Sequence, residues 1–454
     1  MSSRDRWLAG LFAFQLLVAA VLGIVLVNAL DDPVRPTVVT AAPGPALSAA
    51  PQATAVATSS AKPGTTTTTT TTTTGGSKGG TVTAPTGSTA VLAAGAPIKI
   101  GTIVTQTGAI NFVSSAQATK AYFDQLNRAG GINGHKIVLD LRDDKLDSAR
   151  GRQQAQELVD EGVFAFTGWR APLTENGITD FLAKNKIPLI GAYGEQEEYH
   201  SPYSYLFSAS YGHFGFQMST YLAEQGVKKP GLVYITNNSQ SADAGLVKAF
   251  KDGFKSKGLT LADADIISVD PTKPSYDDVV TQFQLDGVDG MATLLDQTAY
   301  NRLTQSQERQ AYRPKHAASP LFVDPSVTQN ATTEGTFVAT DYDFVQGGGS
   351  VVQDYAKAVT AAYGAKAQVN YFGEQGWVDA LAFTQAVRSL GSTITRDGLL
   401  KAMDGLQGKG GFGVTSDLHF GPGVRDLNRC VKFGKIVSGK VTRVTDWRCD
   451  EQPF

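Results

Sequence analysis

Residues 98–144 read IKIGTIVTQTGAINFVSSAQATKAYFDQLNRAGGINGHKIVLDLRDD. A short apolar run opens the stretch, and a loop and an amphipathic helical pattern follow. A glycine-rich turn then leads to a second apolar run. This is the order of a β-α-β unit. Apolar runs this short and this rich in β-branched residues suit strands buried on both faces of a parallel sheet. The turn Gly130-Gly131-Ile132-Asn133-Gly134 has a local job. A helix C-terminus takes a left-handed residue, which glycine adopts without a Cβ clash. Asn133-Gly134 suits the reversal into the next strand.

Working outward, the alternation continues. Helical patterns cover 148–160, 176–184 and 213–225, and strand-like runs cover 163–167 and 187–190. A second series follows, with strands at 232–235, 265–269, 290–295 and 320–323 and helices at 242–257, 277–284 and 299–309. Strands alternating with helices predict parallel sheets joined by right-handed crossovers. Two such series predict two α/β lobes.

The N-terminal part is different in kind. Arg4 and Arg6 precede an apolar run over residues 7–30, and Asp31-Asp32 follow it. A helix of about 20 apolar residues spans about 30 Å, the thickness of a bilayer core. The position of the arginines puts the N-terminus in the cytoplasm and the rest outside. The alternative is a cleaved signal peptide ending near Val27-Asn28-Ala29; the length of the run favours a retained anchor. Residues 31–96 are rich in Pro, Ala, Thr and Gly and include an unbroken run of threonines from Thr65 to Thr74. They read as a disordered stalk, with a root-mean-square span of roughly 45 Å.

Composition excludes several functions. The chain of 454 residues carries a formal net charge of −2, which gives no basic footprint for nucleic acid. The five histidines show no ligand spacing, and no metal site or cofactor is expected. Residues 408–413 match GxGxxG but follow a helix and precede a strand-like run, so they read as a turn and not as a dinucleotide site. No nucleophile motif of a hydrolase appears, and the chain is not expected to be an enzyme. Cys430 and Cys449 flank a predicted hairpin around Ser438-Gly439. They are either two buried thiols or a disulfide, which an oxidising compartment outside the membrane favours.

The segment Asn127-Arg-Ala-Gly-Gly-Ile-Asn-Gly-His-Lys, followed by a strand and Asp143-Asp144, resembles the first unit of the type I periplasmic binding proteins. The resemblance is greatest to the leucine/isoleucine/valine-binding group that serves ABC importers, and it runs in order over about residues 97–423. It implies two Rossmann-like lobes with a three-crossing hinge and a ligand cleft between them. The crossings are expected near Ala209, Asp341 and Gly413, so that 97–209 and 342–412 form lobe 1 and 210–341 and 413–454 form lobe 2. The group's lipid-bearing N-terminal cysteine is missing here, and the anchor would replace it.

In open parallel sheets, ligands bind outside the carboxyl ends of strands. That rule selects the loops 105–112, 168–172, 191–198, 236–242, 296–298 and 324–326. In the first lobe, Arg170 is a candidate to grip a carboxylate and Trp169 to stack on a ligand; their ordinary alternatives are an exposed arginine and a packed tryptophan. Tyr193 and Glu195 are candidates in the next loop, where the amino-acid binders carry a small residue and threonine. In the second lobe, Asp296 and Asp324 are either ligand acids or helix caps. Tyr371 is a cleft wall or a core tyrosine. Ser326 stands where the amino-acid binders carry a glutamate. These departures argue against leucine and for a polar small molecule that is amino-acid-like, an amide, a carboxylate or a polyol. The expected function is an extracytoplasmic solute-binding protein at the cell membrane that delivers its ligand to an ABC permease. The alternatives are a sensing ectodomain with a separate signalling partner and, more remotely, an α/β hydrolase.

Overall fold

A computed structural model describes residues 87–452 apart from 109–110, 176, 195–197, 236–239, 324, 409–410 and 426–427. The apolar run 7–30 lies outside the described residues, as does the predicted stalk up to residue 86. Among the described residues no helix is long and apolar enough to cross a membrane. Residues 87–96 already touch the fold: Leu92 N donates to Ile394 O at 2.9 Å, and Gly87 N to Asp397 Oδ1 at 3.3 Å.

The opening unit forms as its sequence predicts. Strand β1 (Ile98–Ile103), helix α1 (Val113–Arg128) and strand β2 (Ile137–Arg142) follow one another, and the strands pair in parallel with Ile98 opposite Ile137. Gly130, Gly131, Asn133 and Gly134 all have positive φ. Asn133 adds a tertiary tie, donating to Gly391 O at 2.8 Å. Helix α2 (Ser148–Asp160) is capped by Asp147, and β3 (Ala165–Thr167), α3 (Ile178–Asn185), β4 (Leu189–Ile190) and β5 (Ser204–Tyr205) complete the first layer. Their sheet is five-stranded and parallel in the order β2-β1-β3-β4-β5.

The second series begins with α4 (Tyr211–Glu224), capped by Ser210, and β6 (Pro230–Ile235). Then come α5 (Gln240–Ser256), β7 (Ile266–Val269), α6 (Asp277–Asp286), β8 (Gly290–Leu294) and α7 (Gln297–Arg309). The next strand departs from expectation. It is β9 (Lys315–Ala318), whereas residues 320–322 form a 3-10 turn. The bulkier Pro-Leu-Phe-Val run looks more strand-like, but Pro320 cannot donate to a ladder, and the small Lys-His-Ala-Ala strand fits between β8 and β10 (Phe337–Thr340).

After β10 the chain forms α8 (Ser350–Tyr363), α9 (Tyr371–Ser389) and α10 (Arg396–Asp404). It then runs through a small hairpin of β11 (Gln407–Gly408) and β12 (Leu418–His419), then β13 (Cys430–Val437), β14 (Lys440–Arg443) and β15 (Arg448–Cys449). The second sheet runs β14-β13-β10-β9-β8-β6-β7, with β15 on β13, and the β13 pairings are antiparallel. The β13–β14 turn is the expected one, with Ser438 and Gly439 both at positive φ. Cys430 and Cys449 form a disulfide across β13 and β15.

Helix α9 is buried on nearly every face and packs on α1 beside the first sheet. Tyr122 meets Trp377 edge-on at 4.8 Å, and Phe123 meets Phe383 at 6.0 Å. Gly376 lets the two backbones approach: a Cβ there would lie 2.7 Å from Ser115 O. Val414, Leu418 and Phe420 join the same hydrophobic cluster as Val378 and Phe383. The segments linking the two sheets are tied to one another. Ala209 N donates to Asp341 Oδ2 at 2.7 Å, and Asn428 Nδ2 donates to Phe207 O at 2.7 Å and Asp341 O at 3.4 Å.

Candidate functional site

A cleft with an empty volume of about 400 Å³ opens where the carboxyl ends of the two sheets meet α9. The first sheet contributes Tyr193 and Gly194 from the loop after β4. The linker and α4 contribute Ser208, Ala209, Tyr211 and Phe214. The second sheet contributes Leu294 from the end of β8 and Ser319, Pro320 and Leu321 after β9. Helix α9 contributes Tyr371, Phe372 and Gln375. Among the described residues, no charged side chain lines the cleft.

The walls are aromatic and brace one another. Phe112 stands behind them, edge-on to Tyr193 at 5.4 Å and to Phe372 at 4.7 Å. The Tyr211 hydroxyl donates to the Tyr193 hydroxyl at 2.6 Å, which joins the N-terminus of α4 to the loop after β4. Tyr371 donates to Asp341 Oδ1 at 2.8 Å. Burial pushes the Asp341 carboxyl up to about 7, against the pull of the Ala209 N–H and the Tyr371 hydroxyl.

The polar groups are few. Gln375 Nε2 donates to Ser208 Oγ at 3.1 Å, and Gln375 Oε1 accepts from Arg170 Nε at 3.1 Å. The Ser319 hydroxyl is buried and has no hydrogen-bond partner among the described residues. A polar head placed in the cleft can therefore meet a serine hydroxyl that lacks a partner and an amide already held in orientation.

Arg170 does not face the cleft. It is fully buried and ion-paired with Asp379 of α9 at 2.8 Å. Burial pushes the Asp379 carboxyl up to about 7, and Arg170 pulls it down. At neutral pH the ion-paired form holds, because a guanidinium buried without a counter-charge costs several kcal/mol. The arginine therefore fastens the 168–172 loop to α9 and positions Gln375. Trp169 is likewise fully buried, packed on Phe166 at 4.8 Å in the core behind the sheet, where it cannot stack on a cleft ligand.

Of the remaining candidates, Tyr193 and Tyr371 line the cleft. Asp296 caps α7, accepting from Ala299 N at 2.8 Å, and is not a lining residue. Glu195 and Asp324 lie outside the described residues. Asp143 and Asp144, which carry part of the resemblance, hold loops. Asp143 accepts from Gln106 N at 2.9 Å, and Asp144 joins Thr105 at 2.7 Å and Thr174 at 2.9 Å.

Sequence reasoning missed Tyr211, Ser319, Phe372, Gln375 and the buried Glu175. Glu175 accepts from Ala171 N at 3.0 Å and Tyr193 N at 2.9 Å, while Glu198 accepts from Gly194 N at 3.2 Å. Burial and the Glu198 charge hold the Glu175 carboxyl well above its ordinary range. One signal was present for Tyr211. Ser210 is a helix cap directly after the linker, which puts the next side chain at the cleft mouth. Among the described residues no group of three His, Cys, Asp or Glu is placed to hold a metal.

Two sheets, linkers tied at Ala209, Asp341 and Asn428, and a cleft at the strand ends define a two-layered ligand-binding architecture. The sequence profile of the periplasmic binding proteins matches residues 97–440, and the chain belongs to that family. It is 26% identical over 210 residues to Leu/Ile/Val-binding protein homolog 3 of Brucella melitensis, covering 43% of this chain and 54% of that one. It is 30% identical over 100 residues to the Leu/Ile/Val-binding protein BraC3 of Rhizobium johnstonii, covering 21% and 26%. The chain thus spans about half or less of the curated relatives it matches. Its fold is similar to a branched chain amino acid ABC transporter structure from Thermus thermophilus with bound valine, with a TM-score of 0.69, 16% identity and coverage of 78% and 97%. It is also similar to a fatty acid ABC transporter substrate-binding protein from Thermomonospora curvata, with a TM-score of 0.69, 18% identity and coverage of 82% and 95%. The proteins of this family are ligand-binding components of transporters, not enzymes.

Proposed function

We propose that the protein captures a small molecule with an aromatic or aliphatic body and a single hydrogen-bonding head, and passes it to an ABC permease. The observation that carries this reading is the lining of the cleft. Tyr193, Tyr211, Phe214, Tyr371 and Phe372 dominate it, Ser208, Ser319 and Gln375 are its polar groups, and none of the described lining residues is charged. Such walls favour an apolar body. No described lining residue offers a carboxylate for an α-ammonium, which supports narrowing the expected polar solute to an amide or an apolar carboxylic acid. Solved relatives of similar fold, a fatty acid ABC transporter substrate-binding protein and a solute binding protein from R. palustris in complex with benzoate, bind ligands of this kind.

In this reading the two sheets belong to two lobes that close over the ligand about the linkers at Ala209, Asp341 and Asn428, and the permease recognises the closed form. The third linker passes nearer Asn428 than Gly413, since Val414, Leu418 and Phe420 pack with the first lobe. The run over residues 7–30 would tether the protein to the outer face of the cell membrane, and residues 31–86 would act as the stalk.

The test is a thermal-shift screen of the full-length chain against aromatic and aliphatic acids, their amides, polyols and amino acids. A ligand at about 100 times its Kd adds about 2.7 kcal/mol. Apolar acids or amides are expected to shift the melting temperature, and Tyr211→Ala or Phe372→Ala to abolish the shift. Tight binding of a zwitterionic amino acid with no response to acids or amides would overturn the ligand class. A hit that both variants leave unchanged would overturn the cleft.

A further inference from the structure

Tyr371 and Pro320 also border a second cavity, with an empty volume of about 590 Å³. Its walls are largely apolar, formed by Val338 of β10, Phe344, Val345, Val369 and Val441. One group breaks that character. Glu374, in the first turn of α9, lines the cavity and is 1% exposed, and neither of its carboxyl oxygens has a hydrogen-bond partner among the described residues. A buried carboxyl without a partner costs a few kcal/mol, so such groups are rare unless something outside the chain satisfies them.

The neighbouring charges do not supply that partner. Asp343 lines the same cavity, but its carboxylate is spent on Lys432, Phe344 N at 2.9 Å and Gly349 N at 2.8 Å. Lys432, the nearby cation, is held by Asp343 and lies over the Trp447 ring at 4.4 Å. Burial and the Asp343 charge hold the Glu374 carboxyl well above its ordinary range, and a cation placed beside it would favour the carboxylate. An anion is disfavoured by both carboxyls. A neutral alcohol would meet one carboxyl with one hydrogen bond. An ammonium offers several donors to two oxygens that have none.

We propose that this cavity is a second ligand site, for a small primary amine with an apolar body whose ammonium group is held by Glu374. The apolar walls take the body, and the carboxyl fixes the head. The site adjoins the cleft across Tyr371 and Pro320, and its test does not depend on the cleft ligand.

The probes are benzylamine and benzyl alcohol, titrated by calorimetry into the full-length chain and into three variants. Benzylamine is expected to bind saturably and at least tenfold more tightly than benzyl alcohol. Glu374→Gln should weaken it at least tenfold, and Val369→Phe, which narrows the cavity from a half-exposed wall position, should also weaken it. Tyr211→Ala, in the cleft, should leave it within twofold. Equal affinity for amine and alcohol, or benzylamine binding unchanged in Glu374→Gln, would overturn the site. So would binding lost in Tyr211→Ala but kept in Glu374→Gln, which would make the amine a cleft ligand. Absence of saturable benzylamine binding would likewise overturn the site. If Glu374→Gln does not fold, the Val369→Phe result decides.

Discussion

At the residue scale, position in the sequence and role in the fold part company at Arg170. It sits at a strand end, where anion binding is expected, yet its guanidinium is 1% exposed and paired with Asp379 at 2.8 Å. Removing one partner of a buried pair typically costs about 3–5 kcal/mol, whereas replacing both with apolar residues costs less. Arg170→Met is therefore expected to lower the unfolding free energy by about that amount in urea titrations, and the double variant Arg170→Met/Asp379→Leu to recover much of it. A ligand-gripping arginine would instead leave stability nearly unchanged. Asp341 gives a pH prediction. Its folded carboxyl is raised to about 7 from an ordinary 3.8. The stability it contributes is fully present below about pH 4 and is lost as pH rises through 7. Asp341→Asn removes that loss. Its stability relative to the unsubstituted protein should rise between pH 4 and 7, by at most about 1.4 kcal/mol per pH unit. Melting curves over pH 4–8 measure this, and a difference independent of pH would contradict it.

At the element scale, the loops do the positioning. The turn after β4 is drawn against α9, and only glycine fits where they meet. Gly191 has φ +76°, and a Cβ there would lie 1.8–2.2 Å from the Asp379 carboxyl atoms. Gly191→Ala should cost at least about 2 kcal/mol by combining an unfavourable backbone region with a collision against an ion pair. It should also weaken cleft ligands, because Tyr193 follows two residues later. Chemical denaturation and the thermal-shift screen check the two effects. Most of the order of elements from β1 to α7 was legible from hydrophobic spacing, and in the structure Asp147, Ser210, Asp296 and Asn370 cap helix starts. The region around residue 320 was not. The Pro-Leu-Phe-Val run has more strand character than Lys-His-Ala-Ala, but it is the latter whose backbone pairs with β8 and β10. Among the described residues, the cleft contacts that follow β9 are Ser319, Pro320 and Leu321.

At the scale of the whole molecule, two sheets share three linkers, and their contents are stabilised differently. The first sheet is buttressed by α1 and α9, whereas the second ends in a meander closed by the disulfide Cys430–Cys449, which spans 19 residues. Closing a loop of that length contributes about 3 kcal/mol in the chain-entropy account. Cys430→Ser/Cys449→Ser should lower stability by about that amount. The same loss should follow reduction of the unsubstituted protein and be absent on adding reductant to the variant. A variant as stable as the oxidised protein would show that the meander holds without its crosslink.

The sequence by itself determined the α/β class, the opening β-α-β unit and the family resemblance, and it favoured a disulfide between the two cysteines that the structure then showed. These follow from local spacing, turn chemistry and composition, which act within a few residues of the chain. Only the tertiary structure decided which strand-end side chains face the cleft. Arg170 turns inward because a counter-charge on α9, 209 residues further along the chain, awaits it, and Trp169 packs on Phe166 in a core that Leu182, Ile187 and Leu206 complete from later elements. Tyr211, Ser319 and Gln375 reach the cleft because α4, β9 and α9 converge there. Burial and partnership are properties of that convergence, and no single stretch of the chain encodes them.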